Sequence, residues 1–526
     1  MPPSIEIPEV FNVSTAFLDQ NLEQGRAERV ALYAGDRQIT YQALMAQVNR
    51  AGNALRALGV RPEERVFLLL LDSPEFAYLF WGAIRIGAVP VPTNTALRTG
   101  DYAYMLRDSR AAVLAISEEL LPLVEAILPE LPALRHVVVA GEPRRGQHAL
   151  RELLAAASPE LDPAPTHKDE PAFWLWSSGS TGPPKGAVHL HHDMVFTAEL
   201  YARTILGIEE RDVCLSVAKL YFAYGLGNAL YFPLRVGAAA VLHPGRFEPQ
   251  AYFGLIRRYR PTLFFAVPTA YAALLAADGP SDLGQVRLCV SAGEPLPAAL
   301  FTRWKDRFGV EILDGIGSTE ALHIYISNRP GRVRPGSSGE VVPGYAVRIL
   351  DEAGRELPSG EIGDLLVDGD SIAASYWNRH TQTKRAFVGE WFQSGDKYYR
   401  DPDGYYWYCG RSDDMLKAGG QWVSPAEVEA TLIQHQAVLE CGVVGRADQD
   451  ELVKPYAFVV LKPGHGPSEA LARELQAFVR DKIAAYKYPR WIEFVAELPK
   501  TATGKIQRFR LRERLAEQTQ AIPRGR

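Results

Sequence analysis

The sequence predicts an α/β protein with a large N-terminal region and a small C-terminal α+β domain. Stretches with helical periodicity alternate with short apolar runs through most of the chain, which indicates parallel sheets covered by helices. The length of 526 residues exceeds one ordinary core, so two or more domains are expected. The pattern of apolar residues and glycines changes near Gly339 and again beyond Tyr408, which indicates a different architecture toward the C-terminus.

The first elements follow this alternation. Between Thr40 and Gly59, apolar residues recur at the spacing of one helix face, and the glycine ends the helix. These apolar residues are Leu44, Val48, Ala51 and Leu55. The elements predicted next are a strand at Val66–Leu71, a helix from Ser73 to Gly87, and strands at Ala88–Val91, Ala112–Ile116 and Val137–Ala140.

Two of the later predicted strands lead into polar loops. The predicted strands are Cys214–Val217, Ala238–Leu242, Pro261–Val267, Val286–Val290 and Val310–Leu313. The last two lead into the loops Ser291–Leu296 and Asp314–Glu320. Open α/β sheets bind ligands beyond the carboxyl ends of their strands, so these two loops are candidate ligand contacts.

The C-terminal third has a different pattern. Glycines and short alternating runs from about Gly339 to Tyr408 predict a small antiparallel β-subdomain. The remaining part of the chain reads as a small α+β domain. Its predicted elements are helices at Pro425–His435 and Ser468–Ile483, with strands at Ala437–Val444, Tyr456–Leu461 and Trp491–Val495.

Composition excludes several classes of function. Apolar residues make up 47% and charged residues 23%, as in a globular protein with large cores. The net charge of −5 gives no electrostatic case for nucleic acid or an anionic membrane as a partner. No apolar run is long enough to span a bilayer, and no signal peptide is expected. The four cysteines lack metal-ligand spacing, so reduced thiols in a cytoplasmic protein are expected.

One stretch concentrates groups that bind phosphate. Trp176–Gly186 follows an apolar run and holds three serines, a threonine, three glycines and Lys185. Glycines let backbone amides converge on anionic oxygen, hydroxyls add donors, and a lysine supplies positive charge. A Walker loop does not fit, since Lys185 is followed by Gly186, and no G-x-G-x-x-G fingerprint is present. A flexible surface loop is the alternative that this stretch alone leaves open.

This loop and at least four further motifs, in the same order, resemble the ANL superfamily of adenylate-forming enzymes. That superfamily contains acyl- and aryl-CoA synthetases, peptide-synthetase adenylation domains and luciferases. The resemblance covers nearly the whole chain. It implies an N-terminal domain of residues 1–412, built of two wound α/β subdomains and a β-barrel-like subdomain, and a mobile C-terminal domain of residues 413–526. It also implies ATP and Mg²⁺ as cofactors and coenzyme A as co-substrate.

The resemblance assigns the nucleotide contacts. Glu320 would bind Mg²⁺, a cation that prefers hard oxygen ligands, and Thr319, Lys185 and Lys505 join it as catalytic residues. Asp396 would accept hydrogen bonds from both ribose hydroxyls. Any one of these residues alone would read as a surface charge. The remaining ATP and AMP contacts are Ser177, Ser178, Gly179, Ser180, Thr181, Gly182, Gly293, Glu294, Pro295, Asp314, Gly315, Ile316 and Arg411. The family usually has an aromatic residue at the position of Ile316, so apolar packing against adenine replaces stacking here.

The C-terminal motifs resemble those that serve the two half-reactions. Lys505 matches the lysine that meets the acid carboxylate and the α-phosphate during adenylation. A loop near the start of the C-terminal domain matches the one that enters the site for the thiol step. Its residues are Lys417, Gly419, Gly420 and Trp422. Asp413 matches the hinge about which the small domain rotates between the steps.

The acid pocket is predicted from the segment Tyr221–Asn228 and the residues around His323. Amino-acid-activating members carry an aspartate where this chain has Ala223, so an amino acid substrate would lack its counter-charge. The pocket residues are Ala223, Tyr224, Gly225, Ala292, Gly317, His323 and Ile324. Bulky neighbours disfavour a long acyl chain, and the pattern resembles the subgroup that activates benzoate. His323 as an ordinary core histidine stays open.

The expected partners are therefore small molecules: an aryl acid, ATP and coenzyme A. A homodimer is an assembly that the sequence leaves open. Alternative functions are activation of hydroxybenzoate, activation of another acid, a luciferase-like oxygenase, and an inactive ligand-binding relative. An inactive relative fits poorly with the presence of all the predicted catalytic residues.

Overall fold

A computed structural model describes residues 5–177, 183–412, 414–418, 421–448, 453–500 and 506–520. The chain divides into two compact units, Met1–Ala346 with Val367–Phe392, and Val347–Leu366 with Gln393–Arg526. The predicted division at residue 413 stays a prediction. The predicted α/β class, with a C-terminal α+β part, is confirmed.

The largest sheet has nine strands, and its central members are parallel. Helices cover it and bury a core that includes Phe264, Tyr271 and Trp304. Antiparallel strands complete both edges. In spatial order the strands are Glu340–Val341, Ile324–Ser327, Ile312–Gly317, Leu288–Ser291, Leu263–Ala266, Val213–Ser216, Ala239–Val241, Val30–Ala34 and Arg37–Thr40.

A second, all-parallel sheet has five strands. The helix Tyr41–Ala57 precedes it in the chain, and the Thr40 side chain accepts a hydrogen bond from the backbone N–H of Ala43 at 3.1 Å. This cap explains why the helix begins where the sequence predicts. The strands are Val89–Pro92, Arg65–Leu69, Val113–Ser117, His136–Ala140 and His148–Ala149.

A small antiparallel sheet of three strands joins Ser375–Tyr376, Lys185–Leu190 and Pro171–Ser177. Trp174 and Val188 pack into the core of the five-stranded sheet. The sequence patterns did not predict the strands Lys185–Leu190 and Ser375–Tyr376. Lys185–Leu190 begins inside the glycine- and serine-rich stretch and Ser375–Tyr376 has only two residues, so alternation within either segment gives little signal.

The predicted β-rich subdomain contains a five-stranded sheet of Ala346–Leu350, Gly363–Asp368, Trp391–Arg400, Phe387–Val388 and Tyr406–Arg411. Trp391–Arg400 pairs antiparallel with both Phe387–Val388 and Tyr406–Arg411. The C-terminal part has a three-stranded sheet of Val438–Ala447, Val453–Leu461 and Trp491–Phe494, and a hairpin of Leu416–Ala418 and Gln421–Val423. Val428, Leu475 and Val479 lie in its core.

The α-helices of the described residues are Gln20–Glu23, Tyr41–Ala57, Pro74–Arg85, Thr99–Ser109, Leu150–Ala156, Asp193–Thr197, Ala223–Leu226, Phe232–Val236, Pro249–Tyr259, Pro268–Ala276, Ala298–Phe308, His380–Ala386, Pro425–Leu432, Glu469–Lys482 and Arg508–Gln520. Shorter 3₁₀ turns are Glu118–Leu123, Glu125–Glu130 and Ala485–Lys487, and π turns are Thr15–Asp19, Ala198–Arg203 and Gly227–Tyr231. None of the described helices has the length and apolar character needed to cross a bilayer.

Candidate active site

The predicted phosphate loop connects two paired strands. Ser177 and Lys185 are directly opposite each other across the ladder, so the hairpin brings both residues together. Ser178, Gly179, Ser180, Thr181 and Gly182 lie outside the described residues. Side chains from other parts of the chain contact both ends of the loop. The indole Nε1–H of Trp176 donates to Thr93 Oγ1 at 3.1 Å, and the hydroxyl of Tyr104 donates to the carbonyl oxygen of Pro184 at 3.0 Å.

The carboxylate of Glu320, the predicted metal ligand, lies beside this hairpin. It is 7% exposed. The hydroxyls of Ser177 and Tyr376 both donate to its Oε1, at 2.6 Å and 2.7 Å. The Nζ of Lys185 lies 4.2 Å from the centroid of the Tyr376 ring. The structure therefore brings the predicted residues Ser177, Lys185 and Glu320 together around Tyr376, which the sequence analysis missed.

A strained turn carries Thr319 and Glu320. The carbonyl oxygen of Thr319 accepts a hydrogen bond from the backbone N–H of Leu322 at 3.2 Å. Leu322 has φ +67°, in the left-handed region that costs a leucine about 1 kcal/mol or more. The carbonyl oxygen of Glu320 accepts from the N–H of Ala373 at 2.7 Å. Such backbone strain persists only where surrounding contacts hold it, as at many functional sites.

The predicted metal site rests on one carboxylate. The described residues contain no group of three or more histidine, cysteine, aspartate or glutamate side chains that could hold a metal ion. Mg²⁺ usually keeps several waters and takes phosphate oxygens, so it needs only one or two protein carboxylates. Glu320 fits that requirement, because Oε2 accepts no hydrogen bond from a described residue while Oε1 accepts two.

The predicted adenine contacts occupy the ends of neighbouring parallel strands. Ser291 and Asp314 are in register, so the loops at Gly293, Glu294 and Pro295 and at Gly315 and Ile316 start side by side. Asp314 is 5% exposed, and burial raises its pKa to about 8. Its Oδ2 accepts from the N–H of Leu296 at 3.3 Å, whereas Oδ1 is buried without a hydrogen-bond partner among the described residues. A neutral carboxyl can both donate and accept a hydrogen bond, so it suits the edge of an adenine base, which carries donors and acceptors.

The predicted acid pocket surrounds His323. The imidazole is 2% exposed and lies among the rings of Tyr201, Tyr224 and Phe232, at centroid distances of 5.3, 5.5 and 4.5 Å. Burial lowers its pKa to about 3, so the ring is neutral at pH 7. Nε2 faces the oxygens of Tyr224 at 3.3 Å and Asn228 at 3.2 Å, and therefore carries the proton. Nδ1 is then an acceptor, buried without a partner among the described residues.

The other predicted pocket residues lie close by. Ala223, Tyr224 and Gly225 begin a helical stretch that includes the π turn Gly227–Tyr231, a local distortion often found at functional sites. The Tyr224 hydroxyl donates to the carbonyl oxygen of Val290 at 2.9 Å. Val290 is followed directly in the chain by Ser291 and the predicted pocket residue Ala292. Gly317 packs against the backbone of His323 and Ile324, where a Cβ would clash.

Gly225 has a different reason to be small. A Cβ at this position would clash with the carbonyl oxygens of Ala218 and Lys219. The absence of a side chain therefore serves main-chain packing, whatever the residue contributes to the pocket.

Asp396 and Arg411 form a separate cluster in the second compact unit. They are opposite each other on adjacent antiparallel strands. Arg411 Nη1 donates to Asp396 Oδ1 at 3.1 Å and to the carbonyl oxygen of Ser394 at 2.9 Å. The structure thus pairs the two residues that the sequence analysis predicted as ribose and phosphate contacts.

The thiol-step residues are described only in part. Lys417 and Trp422 are paired in the short hairpin. Asp413, Gly419, Gly420 and Lys505 lie outside the described residues. The described residues on either side of residue 505 are held together, because Lys500 and Ile506 form a β-bridge and the N–H of Gln507 donates to the carbonyl oxygen of Pro499 at 2.8 Å.

Two family models match this chain. The model described as "AMP-binding enzyme" matches residues 18–377, and "AMP-binding enzyme C-terminal domain" matches residues 427–505. The chain therefore belongs to the family of AMP-binding enzymes. Among its relatives is a benzoate–CoA ligase of Thauera aromatica, 53% identical over 515 residues that cover 97% of each chain.

Two further relatives extend the comparison. A 4-hydroxybenzoate–CoA/benzoate–CoA ligase of Rhodopseudomonas palustris is 46% identical, over 96% of this chain and 94% of the relative. The crystal structure of an anthranilate–CoA ligase in complex with anthranoyl-AMP superimposes with a TM-score of 0.93 at 48% identity, over 98% of this chain and 99% of that chain.

Proposed function

We propose that this protein is a benzoate–CoA ligase. In the first step a benzoate oxygen attacks the α-phosphorus of ATP, which gives benzoyl-AMP and releases pyrophosphate. In the second step the sulfur of coenzyme A attacks the acyl carbon, which gives benzoyl-CoA and releases AMP. The observation that carries the proposal is 53% identity, over nearly the full length, to a benzoate–CoA ligase.

The geometry supports the first step. Lys185 offers a positive charge at one end of the predicted phosphate loop, and Ser177 at the other end donates its hydroxyl to Glu320 Oε1. Glu320 would hold Mg²⁺, which supplies charge neutralisation for the phosphates when bound. Lys505 would bring a further cation to the attacking carboxylate, where charge accumulates in the transition state. Asp396 and Arg411 would fix the ribose, and this orientation lowers the entropic cost of the reaction.

The acid pocket favours a flat, uncharged ring. Ala223 places no carboxylate where an amino acid substrate would need one, and His323 is neutral and surrounded by aromatic rings. Apolar walls of this kind favour a ring over a charged group, which would lose its hydration without compensation.

Hydroxybenzoate is a second candidate substrate, because one observation favours it. The buried acceptor Nδ1 of His323 has no hydrogen-bond partner among the described residues. A hydroxyl on the substrate ring would supply the missing donor, and satisfying a buried acceptor increases affinity.

We also propose a cytoplasmic location. The four cysteines are free and buried, which fits the reducing cytoplasm, where thiols persist. A homodimer stays a prediction, and sedimentation velocity of the full chain would test it.

Pyrophosphate release measured across benzoate, 4-hydroxybenzoate, 2-aminobenzoate, cinnamate and octanoate tests the proposed function. We expect the highest kcat/KM for benzoate and CoA-dependent AMP formation in the absence of oxygen. A higher kcat/KM for 4-hydroxybenzoate would favour the second candidate. A preference for octanoate would contradict the aryl pocket, and AMP formation that needs oxygen would favour a luciferase-like oxygenase.

A further inference from the structure

Tyr376 contacts two predicted catalytic groups of opposite charge. Its hydroxyl donates to Glu320 Oε1 at 2.7 Å, and its ring face lies 4.2 Å from the ammonium nitrogen of Lys185. The side chain is 5% exposed, so water competes little for either contact. Hydrogen bonds to charged groups are among the strong ones, and cations are attracted to the faces of aromatic rings.

The backbone holds this tyrosine in place. Tyr376 pairs with Ala187 in the three-stranded sheet, two residues beyond Lys185. The N–H of Trp377 donates to the carbonyl oxygen of Gly186 at 2.8 Å. The N–H of Tyr376 donates to Thr383 Oγ1 at 3.1 Å, and its ring packs edge-on against Phe387. The position of the ring relative to Lys185 is therefore set by the strand register.

Tyr376 lies against both Lys185 and Glu320. These two described residues form no ion pair with each other, although both lie against the same side chain. A direct ion pair would satisfy both charges internally and would compete with phosphate for the lysine and with the cation for the carboxylate. The tyrosine offers each charge a weaker partner that a ligand can displace or supplement.

We propose that Tyr376 is a positioning residue for adenylation, which keeps Lys185 available to phosphate and orients Glu320 toward the cation. This inference rests on the proposed function. The hydroxyls of Tyr376 and Ser177 occupy Oε1 of Glu320, so Oε2 is the oxygen that remains for a cation. Outer hydrogen bonds of this kind commonly change metal affinity or activity by about 10- to 100-fold.

Two substitutions separate the two contacts. Tyr376→Phe keeps the ring under Lys185 but removes the hydrogen bond to Glu320. Tyr376→Leu removes both. Tyr41→Phe is the matched control, because the buried hydroxyl of Tyr41 also donates away from the predicted site, to the carbonyl oxygens of Ala238 at 2.7 Å and Pro233 at 3.5 Å.

Calorimetric titration with a non-hydrolysable ATP analogue provides a readout that is independent of turnover. For Tyr376→Phe we expect about a 10-fold or greater loss of affinity for the magnesium complex, with little change for the metal-free analogue in EDTA. Tyr376→Leu should also weaken binding of the metal-free analogue, by about two- to fivefold, because without the ring Lys185 can pair with Glu320 instead of phosphate. Tyr41→Phe should bind both forms like the unsubstituted protein.

Kinetics of the two half-reactions complete the test. Tyr376→Phe should slow pyrophosphate release by about 10- to 100-fold, whereas thioester formation from supplied benzoyl-AMP should be nearly unchanged. Equal losses in both half-reactions, or unchanged affinity for the magnesium complex, would overturn the proposal, as would tighter binding of the metal-free analogue by Tyr376→Leu.

Nucleotide binding needs no acid substrate, so the result for Tyr376 does not depend on which acid is activated. If the unsubstituted protein activates none of the aryl acids but Tyr376→Phe still loses affinity for the magnesium complex selectively, the proposed function fails and the role of Tyr376 stands.

Discussion

The imidazole of His189 connects the buried carboxylate of Asp193 to the backbone of Thr319. Its Nε2 lies 2.9 Å from the carbonyl oxygen of Thr319, and its Nδ1 lies 2.7 Å from Asp193 Oδ2. A carbonyl oxygen can only accept, so Nε2 carries a proton. His189 and Asp193 are both fully buried. The turn that carries Thr319 and Glu320 is therefore held, through the Thr319 carbonyl oxygen, by the fully buried pair of His189 and Asp193.

Replacement of His189 by leucine should affect both stability and adenylation. The substitution removes the His189 contact of the buried Asp193 carboxylate and leaves it the backbone N–H of Leu190 and the ring of His192, each at 3.1 Å. Breaking a buried pair costs up to about 3–5 kcal/mol in the free energy of unfolding, and these remaining contacts reduce that loss. It also frees the Thr319 backbone, so adenylation should slow, by up to about 100-fold. Denaturant unfolding and pyrophosphate release measure the two effects. Adding Asp193→Asn to this variant should recover part of the stability, since the buried charge is removed; no recovery would contradict a charge-based penalty.

Ala223 and Gly225 should respond differently to enlargement. Ala223→Leu should raise the KM for benzoate with little change for ATP, because the three extra carbon atoms would overfill the pocket, and overpacking costs about 1–3 kcal/mol. Gly225→Ala should instead lower stability, because its Cβ would clash with main-chain oxygens. Steady-state kinetics and thermal unfolding of both variants give the comparison. Unchanged benzoate kinetics in Ala223→Leu would remove this residue from the pocket.

Asp314 should make stability depend on pH. Burial raises the pKa of this carboxyl to about 8, above its ordinary value of 3.8. The folded state therefore binds an extra proton between these two pKa values, so this contribution is full below the unfolded pKa and is lost as the pH rises toward 8. Relative to Asp314→Asn, the free energy of unfolding should fall by up to about 1.4 kcal/mol per pH unit between about pH 5 and pH 7.

Urea unfolding of the unsubstituted protein and of Asp314→Asn, at several pH values, measures this difference. Asp306→Asn, at an exposed position, is the matched control for replacing an aspartate by asparagine. Parallel profiles for the unsubstituted protein and Asp314→Asn would show that the Asp314 carboxyl is already ionised at low pH.

Lys505→Ala should separate the half-reactions. Loss of a charge donor in the transition state should slow formation of benzoyl-AMP by about 100-fold or more. Thioester formation from supplied benzoyl-AMP and coenzyme A should survive, because the predicted role of this lysine is confined to adenylation. Lys500→Ala is the matched control: Lys500 is a nearby lysine that already pairs with Glu440 at 2.5 Å. Equal losses in both half-reactions for Lys505→Ala would indicate a structural role.

The sequence by itself determined the fold class and the linear motifs. Helical periodicity and apolar runs identify elements whose hydrophobic faces repeat locally, such as Tyr41–Ala57 and Glu469–Lys482. The glycine- and serine-rich loop, the pair Thr319–Glu320 and the pair Asp396 and Arg411 are likewise recognisable. The residue types of the loop match phosphate binding by themselves, whereas the two pairs are identified by their resemblance to the family motifs.

Only the tertiary structure decided which side chains support those motifs. Tyr376 lies 56 residues from Glu320 along the chain, and His189 lies 130 residues from Thr319. Neither pair leaves a periodic signal, because both are brought together by strand pairing and loop packing over long separations. The need for glycine at position 225 is also tertiary, since the clash comes from main-chain oxygens that only the folded chain places there. Local pattern specifies elements, whereas the geometry of a site depends on contacts between distant ones.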